Sequence, residues 1–353
     1  MIDEKICGWL IDNADAPIRY RVAKELLKDD KIAKNIESEL FENKEVQKWI
    51  VNLKNEKPLT RNHLEHGSFD VCLENALPKL IQLGLHGGLQ SLIDAADFYL
   101  SRHTSISFKW LSVNIFSLAG ISNDKVTTTM LDKLDRIHRF VQKKIYDFYI
   151  SDEERDKLTG VPKNWKNSKF IKPELSRASD FSYPYIYDIL GMSRLYDLKD
   201  SVVNQKINDI INYISTDEFH EKIEDGYGIL IAGVKKYHSQ GWDPKYPGWF
   251  DPASYIERGG DRIGFGIPKL LFFAQNIVKY PVALKTKWFR DLLDYFDKYK
   301  TDSGTYLFPK KWIDESQGYA VQGHHLSFGE NRRKKNWLEI ESTFYMQLLK
   351  KNI

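Results

Sequence analysis

Cysteine is nearly missing from this 353-residue chain. Cys7 and Cys72 are the two that occur, too few for a disulfide framework and suited to a reducing compartment. Long apolar runs are missing as well: no stretch approaches the roughly 18–20 residues that a membrane-spanning helix requires, and the mean hydropathy is −0.48. Nor is there an excess of charge of one sign. The 52 Lys and Arg face 49 Asp and Glu, a formal charge of +3, which argues against nucleic-acid affinity from a dominant basic face. The opening MIDEKICGWLIDN lacks a basic stretch followed by an apolar core, so no secretory signal is expected and the chain is read as cytoplasmic. Period-two alternation is scarce, leaving little sequence for strands. What the chain has in quantity is aromatic, with 19 Tyr, 19 Phe and 9 Trp. Its 42% hydrophobic and 29% charged residues exclude a disordered chain.

The periodicity is helical almost throughout. Asp15 is placed to cap a helix from Ala16, with Pro17 in the first turn; Ile18, Val22 and Leu26 then recur every fourth residue and leave Arg19, Lys24 and Glu25 toward water. Further helices are expected over 71–85, 89–101, 110–119, 129–150, 181–198, 202–214, 267–279, 287–300 and 332–350. The breaker His86-Gly87-Gly88 suits a corner between two of them. Several pairs repeat as helical hairpins whose apolar stripes are too broad to be covered alone, so neighbours must stack. The turns Asp225-Gly226-Tyr227-Gly228 and Asp302-Ser303-Gly304-Thr305-Tyr306 join small residues to an aromatic. They favour closure into a ring of inner and outer helices over an open superhelix. The expected architecture is all-α: an α/α toroid over 61–353 with an N-terminal helical cap over 1–60.

These hairpins with aromatic turns resemble the α/α-toroid superfamily of terpenoid cyclases and protein prenyltransferases. The opening WLIDNADAPIRYRVAKELL and the ending GENRRKKNWLEIESTFYMQLL resemble an uncharacterised bacterial group placed near squalene cyclases. The resemblance implies an enzyme with an aromatic-lined central cavity that accepts an apolar or cyclic small molecule. The superfamily's Asp-x-Asp-Asp acid and its Asp-Asp-x-x-Asp magnesium motif do not occur here. Asp29-Asp30 lies in a polar stretch, and Asp291, Asp294 and Asp297 read as a solvated stripe. Asp70-Val71-Cys72 with His138 matches the zinc pattern of prenyltransferases only locally. His63-Leu64-Glu65-His66 lacks metalloprotease spacing, so no metal site is expected and no cofactor is assigned.

Candidate catalytic groups come from two regions. Asp180, Tyr183 and Tyr187 fall on one helical stripe, where a carboxylate beside two phenols offers a proton donor and π-faces for a cation; Asp180 as a helix cap is the competing reading. The loop from Gly241 to Gly266 carries Glu257 and Asp261 as acids. Trp242, Trp249, Tyr255 and Arg262 are its candidate binding residues, and packing over a rim is the competing reading. His324 and His325 add a glycine-flanked proton shuttle near the final helix. Glu341 sits on that helix's apolar stripe and should meet an arginine or serve as a functional acid; pairing with Arg19 or Arg21 across the ring is the preferred reading.

Three functions remain open at this level. The first is a terpenoid cyclase-like or prenyltransferase-like enzyme with a small-molecule ligand in a central cavity. The second is a carbohydrate-active hydrolase or lyase using paired carboxylates among Asp180, Asp251, Glu257 and Asp261. The third is a non-catalytic ligand-binding protein or scaffold. No nucleic acid or membrane span enters any of them.

Overall fold

The computed structural model describes residues 3–54, 72–86, 90, 92–94, 97, 106–121, 123–175, 184, 186–196, 200–222, 230–233, 235–239, 271, 274–313, 327–351 and 353. Helix dominates. In chain order the helices are α1 (Glu4–Asn13), α2 (Ala16–Arg21), a π-helix (Val22–Leu27), α3 (Asp30–Glu42), α4 (Lys44–Lys54), α5 (Leu73–Gln82), α6 (Ile106–Leu118) and α7 (Asp124–Gln142). They continue as α8 (Asp152–Asp156), α9 (Ile186–Tyr196), α10 (Ser201–Ile214), α11 (Asp217–Lys222), α12 (Pro281–Leu284), α13 (Lys287–Asp297) and α14 (Trp337–Lys350). Among the described residues the only sheet joins β1 (Phe170–Ile171) parallel to β2 (Leu230–Ala232), which pairs antiparallel with β3 (Tyr237–Ser239).

Local chemistry sets the boundaries. Asp29, Asn123 and Asp200 each accept two backbone N–H groups at the starts of α3, α7 and α10, satisfying donors that a helix start leaves orphaned. Asn123 fixes the start of α7 at Asp124, five residues before the periodicity places it. At the end of α5 the N–H groups of Gly84 and Leu85 bond the carbonyls of Ile81 (3.0 Å) and Leu80 (2.9 Å). Gly84 adopts φ +101° there, the arrangement of a Schellman stop. The corner therefore precedes His86-Gly87-Gly88. A Cβ on Gly84 would also lie 3.1 Å from Tyr20 and from Arg21, so the glycine lets the α2 side chains close over the helix end.

Packing follows sequence neighbours and a few long returns. α5 lies against α6, α6 against α9, and α7 and α10 back them. Gly191 permits the α6–α9 approach, since a Cβ there would lie 2.9 Å from Asn114 Oδ1 and 3.1 Å from its Cα. α9 is bolted to the segment before α12 by Tyr280, whose hydroxyl donates to the Ile189 carbonyl. α14 returns to α1 and the π-helix. Apolar side chains on these facing stripes are buried as the periodicity requires, among them Ile18, Val22, Leu77, Leu134, Ile207, Leu292 and Phe344.

Several expectations need correction. Asp15 stands at the cap position of α2, yet its side chain makes no capping bond. It accepts instead from the Asn331 N–H (2.7 Å) and the Lys334 ammonium (2.8 Å), while the Asp15 N–H donates to Glu330 (2.8 Å). Glu341 does meet an arginine, but it is Arg332 at 3.1 Å, with the N–H groups of Phe328 and Glu330 as further donors. Arg19 pairs with Glu39 and Arg21 with Glu25. Arg332 and Lys334 are thus engaged, and α14 begins only at Trp337 rather than at 332. Asp297 is not a solvated stripe residue either, since it accepts from Tyr306 (2.6 Å) and Lys350 (2.7 Å). Burial would raise its carboxyl, and those two donors together with the Lys350 charge hold it below the ordinary value.

Candidate functional site

A concavity of about 1220 Å³ is lined by described residues. It lies where helices end. Leu26 and Lys28 close the π-helix, Ile81 and Gln82 close α5, Leu118 closes α6, Arg194 and Tyr196 close α9, and Leu348 and Lys351 close α14. Val278 and Lys279 come from the segment before α12. Helix C-termini carry unsatisfied carbonyls and about half a negative charge each, which favours cations nearby. Part of the basic lining answers this need directly: Arg21 donates to the Gln82 carbonyl (2.9 Å) and Arg194 to the Leu118 carbonyl (3.5 Å).

Further cations share the same lining. Arg21, Lys24, Lys28, Arg194, Lys279 and Lys351 face Glu25 as the one carboxylate in this wall among the described residues. Asp30 pairs with Lys24 at 2.6 Å. Apolar surface from Leu26, Ile81, Leu85, Leu118, Leu284 and Leu348 completes the walls. An anionic group attached to an apolar body matches this lining.

The π-helix builds one side of the cavity. It follows α2 without a break and sets Glu25 against Arg21, whose Nε and Nη2 reach the two carboxylate oxygens at 2.5 and 3.2 Å. Lys351 reaches the same carboxylate at 3.0 Å. The Arg21 guanidinium also lies over the rings of Phe328 (5.3 Å) and Phe344 (5.2 Å). Short π-helical segments are uncommon and cluster at functional positions.

Burial alone would raise the Glu25 carboxyl, but the charges and hydrogen bonds of Arg21 and Lys351 hold it well below the ordinary carboxylate range. A depressed folded value means that the ion pair stabilises the fold above the unfolded pKa of about 4.3 and is lost as pH falls through the folded value. Glu25→Gln is therefore expected to lower Tm at pH 7, and the gap to the unaltered protein to narrow below about pH 4. Thermal melts from pH 7 to pH 2.5 check this; a gap that stays constant contradicts it.

Of the sequence-derived candidates, Tyr187 lies among the described residues. It is buried on α9, and its hydroxyl donates to Glu74 Oε2 on α5 at 2.9 Å. That pairs a phenol with a carboxylate as expected, but the acid is Glu74. Asp180, Tyr183, Glu257, Asp261, Trp242, Trp249, Tyr255, Arg262, His324 and His325 lie outside the described residues. So do Asp251 and the segment His63–Asp70. His138 is 2.8 Å from Asp209, and Cys72 is buried. Burial, reinforced by Asp3 and Glu4, pushes the Cys7 thiol up to about 11, so it is protonated near neutrality and a poor nucleophile. Among the described residues no group of three or more His, Cys, Asp and Glu side chains is placed to hold a metal, and no helix is long and apolar enough to cross a membrane.

The cavity's own residues were missed by sequence reasoning. Lys28, Arg194, Lys279 and Lys351 each read separately as an ordinary base near a helix end. The signal available was their recurrence at successive ends, which has no meaning until those ends are known to meet. Comparison with protein-family models gives no match, and neither curated proteins nor solved structures give one.

Proposed function

We propose that this chain is a ring of helical hairpins that binds, in the cavity at its helix ends, a small molecule with an anionic group on an apolar body. The convergence of cationic side chains from separate segments on one cavity carries the reading. Those segments lie as far apart in sequence as Lys28 and Lys351. The order of packing supports the ring: Arg21 reaches the end of α5, α5 meets α6, α6 meets α9, α9 meets Tyr280, and α14 returns to the π-helix. The described lining has Tyr20 and Tyr196 as its aromatics; the tryptophans of the expected aromatic lining lie outside the described residues.

A prenyl diphosphate has this chemistry, which joins the cavity to the resemblance with terpenoid cyclases and prenyltransferases. The carbohydrate reading rests on residues outside the described set, and no described residue favours it. The test compares thermal protection by inorganic diphosphate and by a prenyl diphosphate, each with and without magnesium. Both should raise Tm saturably. The prenylated form should bind more tightly, because each buried CH2 contributes about 0.8 kcal/mol. Equal protection by the two rejects the apolar part of the reading. No protection by either rejects the cavity as an anion site and favours a scaffold.

A further inference from the structure

We infer that Lys28 is a ligand-binding residue that holds a phosphoryl-type anionic group of the cavity's occupant, and that its left-handed backbone places it there. The inference rests on the reading of the cavity as an anion site. Lys28 ends the π-helix at φ +55°, ψ +36°. In that conformation the Cβ crowds the backbone, so glycine or asparagine normally takes such positions. The backbone role of the position is already met, since its N–H bonds the Ala23 carbonyl. A cation suits the carbonyls of this helix end, but the backbone itself would be better served by glycine or asparagine. A residue kept in a disfavoured conformation where a better-suited one would serve directs attention to its side chain.

That side chain is exposed and lines the cavity. Its neighbours on the same wall are committed: Arg21 and Lys351 to Glu25, and Lys24 to Asp30. Lys28 makes no hydrogen bond or ion pair among the described residues, so its ammonium is the uncommitted charge of this wall. A flexible stem with three rotatable donors lets a lysine meet the tetrahedral oxygens of a phosphoryl group as a mobile point charge, and a guanidinium can bind the same group through its fork. Arg21 holds the wall's carboxylate, Glu25, in that forked manner.

The chain supplies its own control. Lys144, just after α7, is also left-handed at φ +47° but does not line the cavity. Lys28→Asn and Lys144→Asn each relieve the backbone and remove one charge, and only the first removes the proposed ligand contact. Without ligand, both should raise Tm by about 1–3 °C. Titration of the full chain with inorganic diphosphate should then show roughly tenfold weaker binding for Lys28→Asn, unchanged binding for Lys144→Asn, and retention of most affinity in Lys28→Arg. Unchanged affinity in Lys28→Asn overturns the inference and leaves the cavity reading standing. Equal weakening in both asparagine variants also overturns it, by assigning the loss to net charge. If the unaltered protein fails to bind diphosphate, the cavity reading falls and the role of Lys28 falls with it.

Discussion

Lys133→Met is expected to lower the unfolding free energy by about 3–5 kcal/mol, the loss typical of a buried ion pair deprived of one partner. Lys133 on α7 is 0% exposed and Asp188 on α9 is 2% exposed. The ammonium pairs with Asp188 Oδ1, and Asn114 on α6 donates to the same oxygen at 2.9 Å. Three helices thus meet at one carboxylate. Removing the lysine leaves that carboxylate buried with much less compensation, and a charge is far costlier to hold dry than a neutral group. The double variant Lys133→Met/Asp188→Leu should recover most of the loss, because both charges go together and the apolar replacements fill similar volume. Chemical denaturation checks both. A double variant as unstable as the single one would mean that shape rather than charge governs the site.

The second large effect belongs to Glu341. This side chain is 0% exposed in α14 and accepts from the Phe328 N–H (3.1 Å), the Glu330 N–H (3.3 Å) and Arg332 (3.1 Å). It ties the segment before α14 to the helix, and that segment in turn grips Asp15 through Glu330 and Asn331. Glu341→Ala orphans two buried backbone donors and leaves a cavity. A loss of about 3–5 kcal/mol is expected, seen as a Tm lower by roughly 4–7 °C. Both N–H groups bond Glu341 Oε1 and Arg332 bonds Oε2, so Glu341→Gln can keep the acceptor for both N–H groups, loses the Arg332 pair, and should lose about half as much. Equal losses in the two variants would contradict the account of the carboxylate as a backbone acceptor.

Glu341 also marks how far the sequence can be read. A carboxylate on the Phe344 and Leu348 stripe announces that a partner exists, and an arginine is the natural one. Which arginine depends on the path of the chain between 327 and 336, and no periodicity encodes that path. The same holds for Tyr187: its burial on an α9 stripe is legible, while Glu74 lies 113 positions away. Helices such as α10 and α13 were legible because their apolar positions repeat over three turns and a capping Asp200 or Thr286 precedes them. β1 to β3 were not, since strands of two or three residues are too short to display alternation. The cavity was least legible of all. Its bases look like ordinary helix-end residues one at a time, and only the meeting of those ends brings them into one lining.

The most direct test of the central claim is anomalous diffraction from crystals of the full chain grown with tungstate, a heavy tetrahedral dianion. The account predicts a strong peak inside the cavity, within hydrogen-bonding reach of Lys28 and at least one of Arg194 and Lys279. Peaks confined to the outer surface, with none among the converging helix ends, would contradict it.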